Sequence, residues 1–195
     1  PINPNEFKKA REVNFNRKDT PRFLHIVGVL AAEDRNGTLD LLKALNLCKA
    51  DFTLTIKSQA ELPSEYQTDD RRVRYDFSNV ADPNDLYEDY DALILPRRYG
   101  GLCLPMNEAL MSGLPVIMTD ISPNDQALPK KWLTPAKLTS KFMARVPIDV
   151  YSSDIQQLAE KIAELAERDL SVDKTEAFEL AYNNYSETAL QPRYE

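Results

Sequence analysis

The run Leu95-Pro96-Arg97-Arg98-Tyr99-Gly100-Gly101-Leu102-Cys103-Leu104-Pro105-Met106-Asn107-Glu108-Ala109-Leu110-Met111-Ser112-Gly113-Leu114-Pro115-Val116-Ile117 decides the fold. It reads as a strand end, a Gly-Gly loop, a proline at a helix start, a short helix, a glycine stop and the next strand. Proline suits the first helical turn because its φ is preset, and glycine suits the stop. Gly100 and Gly101 make either a tight turn or a close approach of backbone to a ligand. In the second case the amides of Leu102, Cys103 and Leu104 point out of a helix N-terminus. Unpaired N–H groups and the helix dipole make that a site for phosphate. Glu108 lies one turn further in. It can reach sugar hydroxyls beside a phosphate, or it can be a solvated or capping helix residue.

The same unit recurs on both sides. Phe23-Leu24-His25-Ile26-Val27-Gly28-Val29-Leu30 is an apolar, β-branched run and reads as a buried strand. A polar loop follows at residues 33–37. Thr38 is placed to cap a helix carrying Leu39, Leu41, Leu42 and Leu45. Further strands are expected at residues 52–56, 73–77, 92–96 and 116–119, with a short sixth at residues 145–148. Asp82 and Pro83 open a short helix, and Ser153 or Asp154 caps a helix over residues 155–168. A last helix is expected over residues 174–185 and another over 186–195. Strands alternating with helices predict a doubly wound parallel α/β sheet, buried on both faces. Ligands in such sheets sit at the carboxyl ends of the strands. Residues 1–21, polar and punctuated by Pro1, Pro4 and Pro21, read as a linker or interdomain arm, and residues 22–195 as the domain.

Composition narrows the functions. The chain has 195 residues, 43% hydrophobic and 28% charged, which is the balance of a folded domain. Its net charge of −7 argues against a general nucleic-acid or anionic-membrane binder, since those are held by summed positive charge. One local phosphate pocket remains compatible. Cys48 and Cys103 cannot form a disulfide framework, and with His25 as the one histidine they fall short of a zinc site. The expectation is a reducing, cytoplasmic setting without metal. No apolar run reaches the about 18 residues of a membrane span. The chain starts at Pro1, which fits a piece of a longer protein. His25, inside an apolar strand, reads as a satisfied core residue, and Trp132 as packing.

Taken whole, residues 100–117 resemble the donor-binding half of GT-B glycosyltransferases, the retaining group that includes glycogen synthase and sucrose-phosphate synthase. The family pattern is Glu-Gly-Phe-Gly-Leu-Pro-x-x-Glu-Ala-x-Ala-x-Gly-x-Pro-Val-Ile, and the match from Leu104 onward is close. The resemblance extends weakly from about Arg22 to Tyr194. Even residues 1–7 look like the segment joining the two GT-B domains. Two features depart from the pattern. The first glutamate, which contacts the donor sugar in the family, is Gly100. The family's two diphosphate cations near the first strand are replaced by Gly28-Val29 and Asn36-Gly37.

The resemblance implies a Rossmann-like domain that binds a nucleotide sugar, UDP-linked by expectation, as substrate rather than cofactor. It implies transfer without metal to an unknown acceptor, held by an N-terminal GT-B domain outside this chain. Glu108 would hold the ribose. Arg35 and Lys57 would take over as diphosphate cations, although each can equally be a solvated or strand-end charge. Phe77 and Ser78, with Asn79 and Val80, lie where the family seats the base. Asn36, Gly37 and the loop Tyr99, Gly100, Gly101, Leu102, Cys103 and Leu104 complete the expected donor site. Arg97 and Arg98 either neutralise phosphate or face the partner domain. No catalytic side chain is assigned. Two alternatives share the fold: a nucleotide-sugar-binding module without transfer activity, favoured by Gly100 and the missing cations, and a nucleotide-sugar 2-epimerase.

Overall fold

The computed structural model of the protein describes residues 1–17 and 19–191. Its centre is a six-stranded parallel sheet of order β3-β2-β1-β4-β5-β6, formed by β1 (Arg22–Gly28), β2 (Thr53–Ser58), β3 (Val73–Asp76), β4 (Ala92–Leu95), β5 (Val116–Thr119) and β6 (Leu133–Thr134). Helices cover both faces: α2 (Thr38–Leu47), α3 (Pro83–Tyr87), α4 (Leu104–Met111), α5 (Asn124–Ala127), α6 (Ile155–Glu167) and α7 (Ser171–Tyr185). β4 and β5 are buried along their whole length, as strands covered on both faces must be. The strand order reverses between β1 and β4, which pair through Phe23–Ala92 and Leu24–Leu93. The loops leaving the carboxyl ends of β1 and β4 therefore flank the switch point where such sheets bind ligands. This is the doubly wound α/β fold expected from the sequence.

Local chemistry explains most boundaries. Asp82 accepts from the Asn84 amide and Pro83 opens α3. Asp154 accepts from the Gln157 amide and starts α6, whose Leu158, Ile162 and Leu165 turn inward. α2 starts differently from expectation. Thr38 is no cap: the Asp34 carboxylate accepts from the Thr38 and Leu39 amides, at 3.0 and 2.8 Å. The Thr38 hydroxyl instead meets His25, which is fully buried. His25 Nδ1 lies 2.7 Å from the Ile94 carbonyl and so carries the proton; Nε2 accepts from Thr38 Oγ1 at 2.9 Å. Burial brings this imidazole down to about 4, so it is neutral, a core residue as expected. Trp132 is likewise buried, its Nε1 donating to Asp173.

Three elements depart from the sequence reading. Residues 145–148 are not a sixth sheet strand. They lie at the tip and start of an antiparallel hairpin, β7 (Ala136–Met143) and β8 (Pro147–Ser153), outside the main sheet. The sixth strand is β6, two residues long. Within residues 1–21, Lys8–Asn16 form a helix, α1, with Phe7, Ala10 and Asn14 buried. Asn14 Nδ2 donates to the carbonyls of Tyr87 and Ser112, tying α1 to α3 and α4. Of the helix expected over residues 186–195, α8 (Glu187–Leu190) is present, and residues 192–195 lie outside the described part.

Candidate functional site

The β4–α4 connection gathers positive charge from the backbone outward. Cys103 precedes α4 without a side-chain cap, and Pro105 stands in the first turn. The amides of Leu102, Cys103 and Leu104 have no hydrogen-bond partner among the described residues. Leu102 and Leu104 are exposed and Cys103 is buried, so the loop lies along the surface at the helix start. An uncapped N-terminus with free amides attracts an anion.

Beneath this loop lies Arg97, only 2% exposed. One guanidinium nitrogen donates to the Gly101 carbonyl at 3.1 Å, and Nε has no partner. No carboxylate pairs with it among the described residues. Gly100 adopts φ +125°, and a Cβ there would stand 2.6 Å from the Arg97 guanidinium. Only glycine lets the loop close over this cation. Burial lowers the Arg97 pKa, the Cys103 thiol beside it opposes that shift, and the neighbouring Arg35 lowers it further. Arg35 itself is exposed and its side chain has no partner among the described residues. Two guanidiniums thus share one place without a counter-ion. A buried unpaired charge is costly, and an incoming anion removes that cost.

The other expected donor residues separate into three groups. Lys57 and Ser78 close on Asp76: Lys57 Nζ reaches its carboxylate and the Ser78 hydroxyl, both at 2.8 Å. The Lys57 bond and then Ser78 hold the Asp76 carboxyl down at about 2. Lys57 is therefore an ion-paired strand end rather than a free cation. Phe77, partly exposed, lies with its ring parallel to that of Tyr75, centroids 6.3 Å apart. The second group is structural. Asn36 Nδ2 donates to the carbonyls of Ile26 and Val27, and a Cβ at Gly37 (φ +74°) would collide with the Pro96 carbonyl. Arg98 donates to the carbonyls of Tyr151 and Glu33 and to the hydroxyls of Thr139 and Ser152. Tyr99 donates to the Ala32 carbonyl and meets Phe142 edge-on. Arg98 and Tyr99 clamp the hairpin and the β1–α2 loop to β4. The third is Glu108, half-buried on α4, whose Oε2 accepts from the Tyr87 hydroxyl at 2.6 Å.

Of the two arginines left open by the sequence, Arg97 turns under the Gly-Gly loop and Arg98 becomes the clamp. Both follow a strand buried on both faces, so alternation carries no information about which turns inward. Tyr87 gave no sequence signal at all, because an aromatic residue in a short amphipathic helix reads as core.

Residues 21–168 match the family model for glycosyl transferases group 1. No curated protein matches the chain in sequence. Among solved structures, a glycosyltransferase from Rickettsia africae superposes with TM-score 0.70 at 17% identity, over 99% of this chain and 53% of its own. Sucrose-phosphate synthase from Thermosynechococcus elongatus gives 0.69 at 16%, over 99% and 49%. The C-terminal domain of a glycosyl transferase group 1 family protein from Francisella tularensis gives 0.60 at 17%, over 100% and 99%. The chain spans about half the length of the first two and nearly all of the third. At these identities the likeness is one of fold.

Proposed function

The chain belongs to the glycosyl transferases group 1 family, and from that premise we propose that it is the donor-binding half of a GT-B glycosyltransferase. It binds a nucleoside-diphosphate sugar, UDP-linked by our reading, and an N-terminal domain of the same protein presents the acceptor. One observation carries this: a buried arginine without a counter-ion beneath a helix N-terminus with free amides. A diphosphate supplies the missing negative charge. Arg97, Arg35 and the amides of Leu102–104 hold it, while Lys57 stays with Asp76. Glu108 accepts from the ribose hydroxyls, and Phe77 offers a face to the base.

In this reading the residues act on the leaving group. As the bond from the sugar to the diphosphate breaks, negative charge grows on the phosphate oxygens. Fixed donors already aimed there stabilise it without reorganising. Two guanidiniums and a helix N-terminus supply that charge, so donor binding needs no divalent metal. The buried free thiols Cys48 and Cys103 fit a reducing, cytoplasmic setting. No helix among the described residues is long and apolar enough to cross a membrane.

The test is Arg97→Gln, titrated with UDP and with UDP-, GDP-, ADP- and dTDP-sugars by thermal shift, since a ligand bound to the folded state raises its melting point. The variant is expected to lose at least about tenfold in UDP affinity. Its unliganded stability is expected to hold or rise, because a buried unpaired charge is gone. The wild-type response is expected to persist in EDTA. Wild-type affinity in the variant refutes the assignment. A second reading is favoured by Gly100: Arg97 fills the space beside it, so no carboxylate stands where the family contacts the sugar. Binding of donor without hydrolysis or transfer by the full-length protein would select this non-catalytic module.

A further inference from the structure

We infer that Tyr87 is a positioning residue of the donor site: its hydroxyl fixes the Glu108 carboxylate through Oε2 and leaves Oε1 to accept from the ribose of a nucleoside diphosphate. The inference rests on the donor reading above and deepens it. Tyr87 is fully buried, and the one hydrogen-bond partner of its hydroxyl among the described residues is Glu108 Oε2 at 2.6 Å. The hydroxyl cannot follow a wandering carboxylate. The Tyr87 carbonyl is held by Asn14 at 2.9 Å, and its ring packs against the edge of Phe7 with centroids 5.9 Å apart. Residues of α1, α3 and the segment before α1 thus set one coordinate of a side chain on α4.

Glu108 is a costly way merely to satisfy a tyrosine. It is half-buried and no cation pairs with it among the described residues. Burial raises its pKa, the Tyr87 bond lowers it, and Glu6, ahead of α1, raises it. Cys103, at the start of α4, is the other titratable group that Tyr87 feels. A neutral acceptor would satisfy the hydroxyl without that burden. A carboxylate with one oxygen tethered and one free is suited to a second hydroxyl donor. It stands on the helix that follows the free amides of Leu102, Cys103 and Leu104. Tyr87 remains protonated, since burial and Glu108 push it well above the ordinary phenol value, so it is always the donor.

Tyr87→Phe keeps the ring, its contact with Phe7 and the core volume, and removes only the hydroxyl. Wild type, Tyr87→Phe, Glu108→Gln and the double variant are titrated with UDP and with 2′,3′-dideoxyuridine diphosphate from pH 5 to pH 8. At pH 7 Tyr87→Phe is expected to bind UDP about five- to tenfold more weakly, and the dideoxy nucleotide with less than about twofold change. Losing the hydroxyl raises the Glu108 pKa. As pH falls, UDP binding by Tyr87→Phe should therefore weaken at a higher pH than in wild type, a shift that packing alone would not produce. In the Glu108→Gln background, Tyr87→Phe is expected to add less than about twofold. Equal losses for both nucleotides, or UDP affinity and pH profile unchanged in a variant whose wild type binds UDP, overturn the inference alone. A wild type that binds none of UDP, GDP or ADP overturns the donor reading, and the inference with it.

Discussion

Asp34 shows how one side chain can carry both local structure and pH sensitivity. It caps α2 through two backbone amides and is almost wholly buried. Glu33 and Asp34 both take positive φ, 56° and 49°, an unusual conformation for residues with side chains. Burial is the main cause that lifts the Asp34 carboxyl to about 6, while the two amide bonds oppose it. The folded form then holds its proton more tightly than the unfolded chain, whose Asp titrates near 3.8. Between those values the folded state binds more protons, so stability falls as pH rises from about 4 to about 6 and levels off above. The change is on the order of 3 kcal/mol. In Asp34→Asn this contribution is absent, so the wild-type stability minus that of the variant should decline over the same interval. Denaturant melts of both at half-unit pH steps measure it; parallel profiles would show that Asp34 does not titrate there. None of this was legible in Glu33-Asp34-Arg35-Asn36-Gly37, where Thr38 looked like the cap. The identity of a cap depends on which side chain the loop folds back, and two consecutive left-handed residues leave no trace in composition.

The elements were legible in proportion to how evenly they are buried. β1, β4 and β5 announce themselves as apolar runs because both faces are covered, whereas β2 alternates with threonine and the edge strand β3, Val73-Arg74-Tyr75-Asp76, has no fully buried residue. α6 does so through Leu158, Ile162 and Leu165. The hairpin did not, because β7 is exposed over most of its length, so neither face shows a period-two pattern. β6 is too short to make a run. α1 buries only Ala10 and Asn14 of its nine residues, and its key contacts are hydrogen bonds. Arg98 ties the hairpin to the sheet through the Tyr151 carbonyl and the Thr139 and Ser152 hydroxyls and reaches the Glu33 carbonyl before α2, its own amide donating to Arg35 and its carbonyl accepting from Tyr151, while Ser153 at the end of β8 adds bonds to Asp40 and Thr119. Arg98→Ala removes the side-chain bonds and leaves the sheet intact. We expect local stability of residues 136–153 to fall by about 2 kcal/mol, given charged donors that are partly solvated. Amide exchange there should accelerate about thirtyfold while β1, β2 and β4 keep their protection. Uniform acceleration throughout would mean that the hairpin folds with the core. For the proposed donor site the consequence is that Arg98 and Tyr99 act on the frame, and Arg97, beneath the Gly-Gly loop, is left for the diphosphate.

At the scale of the molecule, the first sixteen residues decide whether the domain starts at β1 or earlier. Read as a sequence they are an arm. In the structure Ile2 bridges to Ser186, its amide donating to the Tyr185 carbonyl and its carbonyl accepting from Glu187. The guanidinium of Arg11 lies 4.1 Å from the ring centre of Phe178 on α7 and donates to the Pro4 and Met111 carbonyls. Phe7, 2% exposed, closes over Tyr87. Lys174 on α7 is buried against the Asn14 carbonyl and Asp91, so the end of α1, the strand start at β4 and α7 share one charge network with Arg17. An arm that swings freely could be trimmed at no cost to the domain. Segments with buried aromatic side chains cannot. Phe7→Ala leaves a cavity beside Tyr87 and should destabilise the chain by about 3–5 kcal/mol. Because the lost contact joins the start of α1 to α3 in the common core, the loss should shift one cooperative transition rather than split it in two. Urea melts followed by far-ultraviolet circular dichroism and by Trp132 fluorescence give the answer. Coincident curves, both displaced to lower urea, place residues 1–16 within the folding unit. A midpoint matching wild type restores the arm. Since Phe7 packs on the tyrosine that holds Glu108, the same variant should weaken UDP binding beyond the effect of stability, at a temperature where both proteins are folded.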